Sequence, residues 1–285
     1  MWEIKHVPVM YQEVLDNMPE NPKLVLDGTV GHGGHSRLIL SKTPETSLIA
    51  VDRDSNIIKI AQKNLEEYKN RVEFVLASYG ELETILKDRK VDMMLLDLWV
   101  NMEHFKDGSR GFSIKREGPL DMRFDTNQKI TALYILKNYS QAQLEEMLTK
   151  WGDFKWKLLQ DIVRAIIKWR HKLKTTFDLK NLLKTINLSE KKIAVVFQTL
   201  RIEVNQELEQ LENFLEKFGD YLNEWWRCMI ITYHSIEDRI VKNKFKELDK
   251  NGFKNITKKV IFPTLEEIEQ NKASRSAKLR IIEKL

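Results

Sequence analysis

A chain of 285 residues, 42% hydrophobic and 31% charged, is long enough for one α/β domain carrying a second module. Its formal charge of +5 and pI near 9.0 lean toward a polyanionic partner without requiring one. The lone cysteine, Cys228, excludes an internal disulfide framework, Met1–His6 lacks the apolar core of a secretion signal, and no apolar run is long enough to span a bilayer. A cytoplasmic location is therefore expected.

From Lys23 to Leu98 short apolar runs alternate with segments of helical period. Leu24–Leu26, Leu48–Val51, Val72–Leu76 and Met93–Leu96 read as strands, and Ile57–Tyr68 reads as a helix between two of them. Such alternation predicts a parallel sheet built from right-handed βαβ units. The strand signal then stops. Between about Phe105 and Phe218 a loop carries Gly108, Gly111, Gly118 and Pro119, followed by helices over Gln141–Lys150, Leu158–Trp169, Phe177–Leu182 and Ile193–Phe218. Strands return at Met229–Tyr233, Lys258–Phe262 and Leu279–Ile282. The expectation is an α/β sheet of about seven strands, formed by residues 1–104 and 219–285, interrupted by a helical insertion over 105–218.

The first strand runs into Asp27-Gly28-Thr29-Val30-Gly31-His32-Gly33-Gly34-His35-Ser36, where glycines let backbone approach a ligand closely. The second ends at Asp52, where a carboxylate can accept from two ribose hydroxyls. NAD and S-adenosylmethionine both suit that pair of features. The loop lacks the Gly-x-Gly-x-x-Gly spacing, and Asp27 would repel a pyrophosphate yet can pair with an ammonium, directly or through water. The methyl donor is therefore favoured. His32 and His35 have no cysteine or third ligand nearby, so no metal is expected.

Further segments are more particular. They are Arg110-Gly111-Phe112-Ser113, Gly118-Pro119-Leu120-Asp121-Met122-Arg123-Phe124-Asp125, Phe197-Gln198-Thr199-Leu200-Arg201-Ile202 with Val204-Asn205, His234-Ser235-Ile236-Glu237-Asp238-Arg239, and Ser274-Arg275-Ser276-Ala277-Lys278-Leu279-Arg280. Together with His6-Val7-Pro8-Val9-Met10 and the glycine loop, they resemble the RsmH (MraW) family along nearly the whole chain. The resemblance implies a class I, Rossmann-like methyltransferase sheet with a helical insertion after the fourth strand. It implies methylation of N4 of a cytidine in the decoding region of bacterial small-subunit ribosomal RNA. Family cofactor contacts carry over onto Gly33, Gly34, His35, Asp52, Tyr79 and Asp97. A further contact, a glutamine in the family, falls on His104.

A cytosine amine is a poor nucleophile, so near-attack placement and acceptors for its hydrogens matter most. Asp97, at the carboxyl end of a central strand, can hold the cofactor, accept from the amine, or both. His234 either lines the acceptor site or is a structural histidine. Arg110, Arg123, Arg201 and Arg239, with Asn205, are candidates for RNA contact, although the arginines can equally pair with Asp121, Asp125 or Glu237. The basic stretch Lys168–Lys174 is either a solvated face or a phosphate-binding one. The expected partner is ribosomal RNA or an assembling small subunit, with a homodimer left open.

Three departures stand out. Asp97-Leu98-Trp99-Val100-Asn101-Met102 stands where the family has Asp-Leu-Gly-Val-Ser-Ser, Lys191-Lys192-Ile193-Ala194-Val195 where it has His-Pro-Ala-Thr-Arg, and Trp225-Trp226 where it has a Gly-Gly pair before the fifth strand, in a chain with only 11 glycines. Two explanations remain open: UGA read as glycine in the source organism but written here as tryptophan, or divergence, with Trp99 stacking on a flipped base. Three readings of function follow, namely an active RNA methyltransferase, a catalytically silent RNA-binding relative, and a nucleotide-dependent oxidoreductase, which Asp27 argues against.

Overall fold

The computed structural model describes residues 7–99, 105, 107–152 and 154–285. Two compact units divide the chain, one made of Met1–Trp99 with Leu208–Leu285 and the other of Val100–Glu207.

In the first unit seven strands form one sheet: β1 Leu24–Asp27, β2 Ser47–Asp52, β3 Val72–Leu76, β4 Val91–Asp97, β5 Leu222–Thr232, β6 Phe253–Asn255 and β7 Lys278–Lys284. Their order is β3-β2-β1-β4-β5-β7-β6. The first five pair in parallel, whereas β7 runs antiparallel to β5 and β6 antiparallel to β7. Chain order reverses between β1 and β4, and in open α/β sheets a ligand crevice lies at the carboxyl ends of the strands flanking that reversal. The sequence Val-Asp-Met-Met-Leu-Leu of β4 is buried throughout, as a central strand covered on both faces requires. Helices α1 Tyr11–Asn17, α2 Gly34–Lys42, α3 Ser55–Asn64 and α4 Leu82–Leu86 precede the break in the sheet. Asp54 caps α3 by accepting from Asn56 N–H.

The second unit holds α5 Ala132–Asn138, α6 Gln141–Gly152, α7 Trp156–Trp169, α8 Thr176–Thr185 and α9 Glu190–Asn205. Its own core gathers Phe112, Leu120, Ile135, Leu148, Ile162 and Phe197. A capping box between Thr175 and Asp178 starts α8. The chain returns to the first unit through α10 Glu207–Tyr221, and α11 Ser235–Leu248 and α12 Leu265–Gln270 complete the helices described.

Two elements differ from the sequence expectation. The helix expected over Ile193–Phe218 is two helices, broken at Gln206, which adopts φ +51°. The apolar stripe runs through the break unaltered, so periodicity alone does not reveal it. What holds the break is polar: Asn205 is anchored to Met122 O and Phe124 N–H, and Arg201 bridges to Glu207. The strand expected over Lys258–Phe262 is absent, and β6 forms instead at Phe253–Asn255. After β6 the Thr257 hydroxyl takes the Ile281 N–H at 2.8 Å, replacing a backbone partner, and only Ile261 regains a single bridge to Leu279. The junctions at Trp99 and Glu207 also place Leu208–Phe218 with the sheet rather than with the insertion.

Candidate cofactor site

The glycine loop joins β1 to α2 at the point of strand-order reversal. Gly28 donates to Leu95 O at 2.9 Å and Val30 to Val51 O at 2.8 Å, so the loop lies across the ends of β4 and β2. A side chain at Gly28 would run into Leu96, which explains a glycine there. Gly33 caps α2 at φ +83°, a backbone that residues with a Cβ resist, and no side chain caps the helix. The first amides of α2 are thereby left with the orphan donors of a helix start, which favour a negatively charged group.

Asp27 lies beneath the loop, buried, accepting from Ser36 Oγ at 2.6 Å and from Thr29 N–H at 3.2 Å. Burial raises its pKa above 3.8, with Ser36, His35 and Thr29 pulling the other way. Each oxygen thus holds one donor inside the protein. At the end of β2, Asp52 receives the N–H groups of Gly31 at 3.2 Å and Asp54 at 3.0 Å, and so ties the loop to the strand. Tyr79, after β3, sets its ring edge-on to Phe214 at 6.1 Å.

Asp97 ends β4 with its side chain 18% exposed. Its N–H donates to Thr29 Oγ1 at 2.6 Å. One carboxylate oxygen, Oδ1, accepts from the Tyr233 hydroxyl at 2.7 Å and from Trp99 N–H at 3.2 Å. The other, Oδ2, is 3.6 Å from Nε2 of buried His35, and neither ring nitrogen of His35 has a hydrogen-bond partner among the described residues. Burial, and then the Asp97 carboxylate, hold the Tyr233 phenol well above its usual pKa of 10.0, so it remains a donor. The Trp99 ring leans on Tyr233 with centroids 4.6 Å apart. Gly33, Gly34, His35, Asp52 and Asp97 therefore converge at the ends of β1, β2 and β4. His104 lies outside the described residues. Among the described residues no group of three His, Cys, Asp or Glu side chains is placed to hold a metal ion.

The residues expected to meet RNA divide sharply. Arg110 donates to the carbonyls of Arg123 and Phe124. Arg123 grips both oxygens of Asp121, at 2.7 and 2.8 Å, and also the carbonyls of Thr126 and Gln128. Arg201 forms a two-pronged pair with Glu207, and Asn205 is buried between Met122, Arg201 and Phe124. These four hold the insertion together. His234 caps α11 through Nδ1, which accepts from Glu237 N–H at 3.4 Å, while its Nε2 stands 2.8 Å from Glu237 Oε1. Its Nδ1 thus serves a capping box at the start of α11. Arg239, one turn further along, is exposed. In the basic stretch, Lys172 Nζ sits over the partly exposed Trp169 ring at 4.5 Å.

Sequence reasoning missed Tyr233, Thr29 and Ser36. Tyr233 was detectable in principle, because Ile231 pairs with Asp97 across β4 and β5 and the strand period of two places residue 233 on the same side. Thr29 and Ser36 gave no sign beyond their place in the loop.

Comparison with known proteins agrees with this geometry. The sequence model of the MraW methylase family matches residues 3–285. A ribosomal RNA small subunit methyltransferase H from Thermotoga neapolitana is 40% identical, over 98% of this chain and 95% of the relative. The protein of the same name from Sulfurihydrogenibium azorense is 37% identical over 99% and 100%, and that from Mesomycoplasma hyopneumoniae 37% over 97% and 98%.

Proposed function

From a chain that belongs to the MraW methylase family, we propose an S-adenosylmethionine-dependent methyltransferase that modifies N4 of a cytidine in small-subunit ribosomal RNA. The observation that carries the reading is the set of unspent polar groups at the switch point: buried His35 with both nitrogens open, Asp97 Oδ2 facing it, and the uncapped start of α2. An amino acid's ammonium and carboxylate fit that set, because the one donates to Asp97 and the other takes the α2 amides and His35. Gly33 and Gly34 keep the approach free of side chains, Asp52 accepts from the ribose hydroxyls, and Tyr79 offers a ring face to the adenine.

The chemistry supplied by bound S-adenosylmethionine is an electrophilic sulfonium methyl. This chain's contribution is placement: fixed backbone and carboxylate positions reduce the search for near-attack geometry. Exposed Arg239 and the Lys168–Lys174 stretch supply phosphate contacts, and the insertion presents the RNA. Among the described residues no helix is long and apolar enough to cross a membrane, in keeping with work on ribosomal subunits in the cytoplasm.

The test is transfer of labelled methyl from S-adenosylmethionine to small ribosomal subunits, with the product mapped by nucleoside mass spectrometry. N4-methylcytidine is expected, and a methyl group on a ring carbon or on protein would refute the substrate assignment. A second reading, a silent RNA-binding relative, draws on the Trp99 ring packed against Tyr233 beside Asp97. It predicts cofactor and RNA binding without transfer.

A further inference from the structure

We propose that Tyr233 is a positioning residue for the cofactor: its phenol fixes one oxygen of Asp97 so that the other is presented to the amino-acid end of S-adenosylmethionine. The inference rests on the methyltransferase reading and adds a residue that the glycine-loop and strand-end motifs do not contain.

A free aspartate carboxylate turns about its last torsion, which is broad for a bond between sp³ and sp² atoms. Here that freedom is removed. Oδ1 receives two donors, the Tyr233 hydroxyl at 2.7 Å and Trp99 N–H at 3.2 Å, from the chain just past β5 and just past β4. The Asp97 backbone is tied in turn to Thr29 of the glycine loop, at 2.6 Å. With Oδ1 engaged twice, Oδ2 is the oxygen with capacity left, and it points at His35 across 3.6 Å, beyond hydrogen-bond length. His35 is buried and offers two nitrogens with no hydrogen-bond partner among the described residues. A gap with an open carboxylate oxygen on one side and an unpartnered imidazole on the other suits a ligand group that both donates and accepts, as an amino acid does.

The Tyr233 ring is held independently of its hydroxyl, by the Trp99 face at 4.6 Å. Removing the hydroxyl alone therefore leaves the packing in place and releases only the Asp97 carboxylate. A purely structural tyrosine would behave differently, since its loss would lower stability and weaken every ligand of the pocket alike.

The experiment uses the full chain and two probes, S-adenosylhomocysteine, which keeps the amino-acid end, and methylthioadenosine, which lacks it. In Tyr233→Phe, calorimetry is expected to show the Kd for S-adenosylhomocysteine raised about tenfold, as for loss of one hydrogen bond to a charged group. The Kd for methylthioadenosine and the melting temperature should hardly change. In an Asp97→Asn background the same Tyr233→Phe change should have little further effect, because the two residues act through one another. Equal S-adenosylhomocysteine affinity in wild type and Tyr233→Phe overturns the inference, as does an equal loss for both probes. A wild-type protein that binds neither probe overturns the methyltransferase reading itself, and this inference with it.

Discussion

The glycine-loop corner of the sheet and the Arg110–Asn205 network of the insertion are built from the same kinds of polar side chain, put to opposite use. In the insertion, Arg123, Arg201 and Asn205 direct their hydrogen bonds at other parts of that unit. At the corner, His35 and Asp97 Oδ2 are buried or nearly so with capacity unused. Buried polar groups are ordinarily satisfied, so open capacity beside the glycine loop suits a ligand, whereas the paired side chains of the insertion serve the fold. An arginine in a motif announces neither role until its partners are known.

The largest expected effect tests the saturated side. Arg123→Ala removes a two-pronged grip on Asp121 and two carbonyl contacts, and Asp121, whose pKa Arg123 lowers against the opposing pull of burial, loses its counter-ion. A loss of about 2–3 kcal/mol is expected for such a pair, read by urea denaturation. Arg239→Ala, by contrast, should leave stability within about 0.5 kcal/mol and reduce the salt dependence of RNA binding by roughly one phosphate contact. If Arg239→Ala unfolds the protein, or Arg123→Ala leaves stability intact while abolishing RNA binding, the division between the two regions is drawn wrongly.

The open side is tested by Asp52→Ala, which should weaken S-adenosylhomocysteine binding by about 1–3 kcal/mol, the range for hydrogen bonds to a charged group. Part of that loss is indirect, because Asp52 also holds Gly31 N–H. Unchanged affinity by calorimetry would remove Asp52 from the cofactor site.

Asp27 and Asp238 give a comparison within the sheet unit that pH can resolve. Burial raises Asp27 above 3.8, so the fold prefers its protonated form. Its favourable contribution is present below the unfolded value and lost as pH rises through the folded one. Asp27→Asn keeps an acceptor for Ser36 and removes that loss, so the variant should gain on wild type as pH climbs from 3 to 7. Asp238 has the opposite sign. Burial pulls it upward, but Arg280 and Lys278 outweigh burial and lower it below 3.8. Its contribution is present above the unfolded value and lost as pH falls through the folded one, so Asp238→Asn should be the less stable protein at neutral pH, with the gap closing in acid. Parallel stability curves for wild type and either variant would refute the corresponding assignment.

How much of this was legible in the sequence follows from the kind of signal each feature leaves. Apolar runs bounded by turns set β1 to β4 and β7, and all of these but β3 are largely buried. The break at Gln206 was hidden because the stripe through Val204, Leu208 and Leu211 serves two helices as well as one, and a left-handed glutamine has no marker in the sequence. The position of β6 was hidden because a threonine side chain displaced backbone pairing. At the site, the glycine loop and Asp52 were readable from their places after strands, whereas for Tyr233 the strand period gives the side of the sheet but not which oxygen of Asp97 it reaches. The arginines were legible as either RNA contacts or structural partners of Asp121, Asp125 or Glu237; the Arg123–Asp121 pair was among those named, whereas the Arg201–Glu207 pair was not, because motif spacing does not record partners.

The smallest expected effect concerns the tryptophans, and here the structure separates what the sequence grouped. Of Trp99, Trp225 and Trp226, only Trp225 takes a positive φ, +69°. It sits in an irregular stretch of β5, where residues 223–226 lie between the pairs Val91–Leu222 and Met93–Arg227, and its ring is 68% exposed. A bulky residue held there incurs the left-handed penalty, about 1–2 kcal/mol, with little burial to offset it. Trp225→Gly should therefore stabilise the chain by about 0.5–1 kcal/mol once glycine's extra unfolded-state entropy is counted. Trp226, which is half-buried, and Trp99, packed on Tyr233, lack that backbone signature. The two explanations for the tryptophans consequently make different demands. Divergence allows each position its own history, so Trp99→Gly should loosen Tyr233 and lower activity. Recoding requires UGA at codons 99, 225 and 226 together, and glycine in the native protein at all three. Under recoding Trp99→Gly should restore transfer that the tryptophan obstructs, and UGG at those codons in the gene would end that explanation whatever the Trp225→Gly variant does.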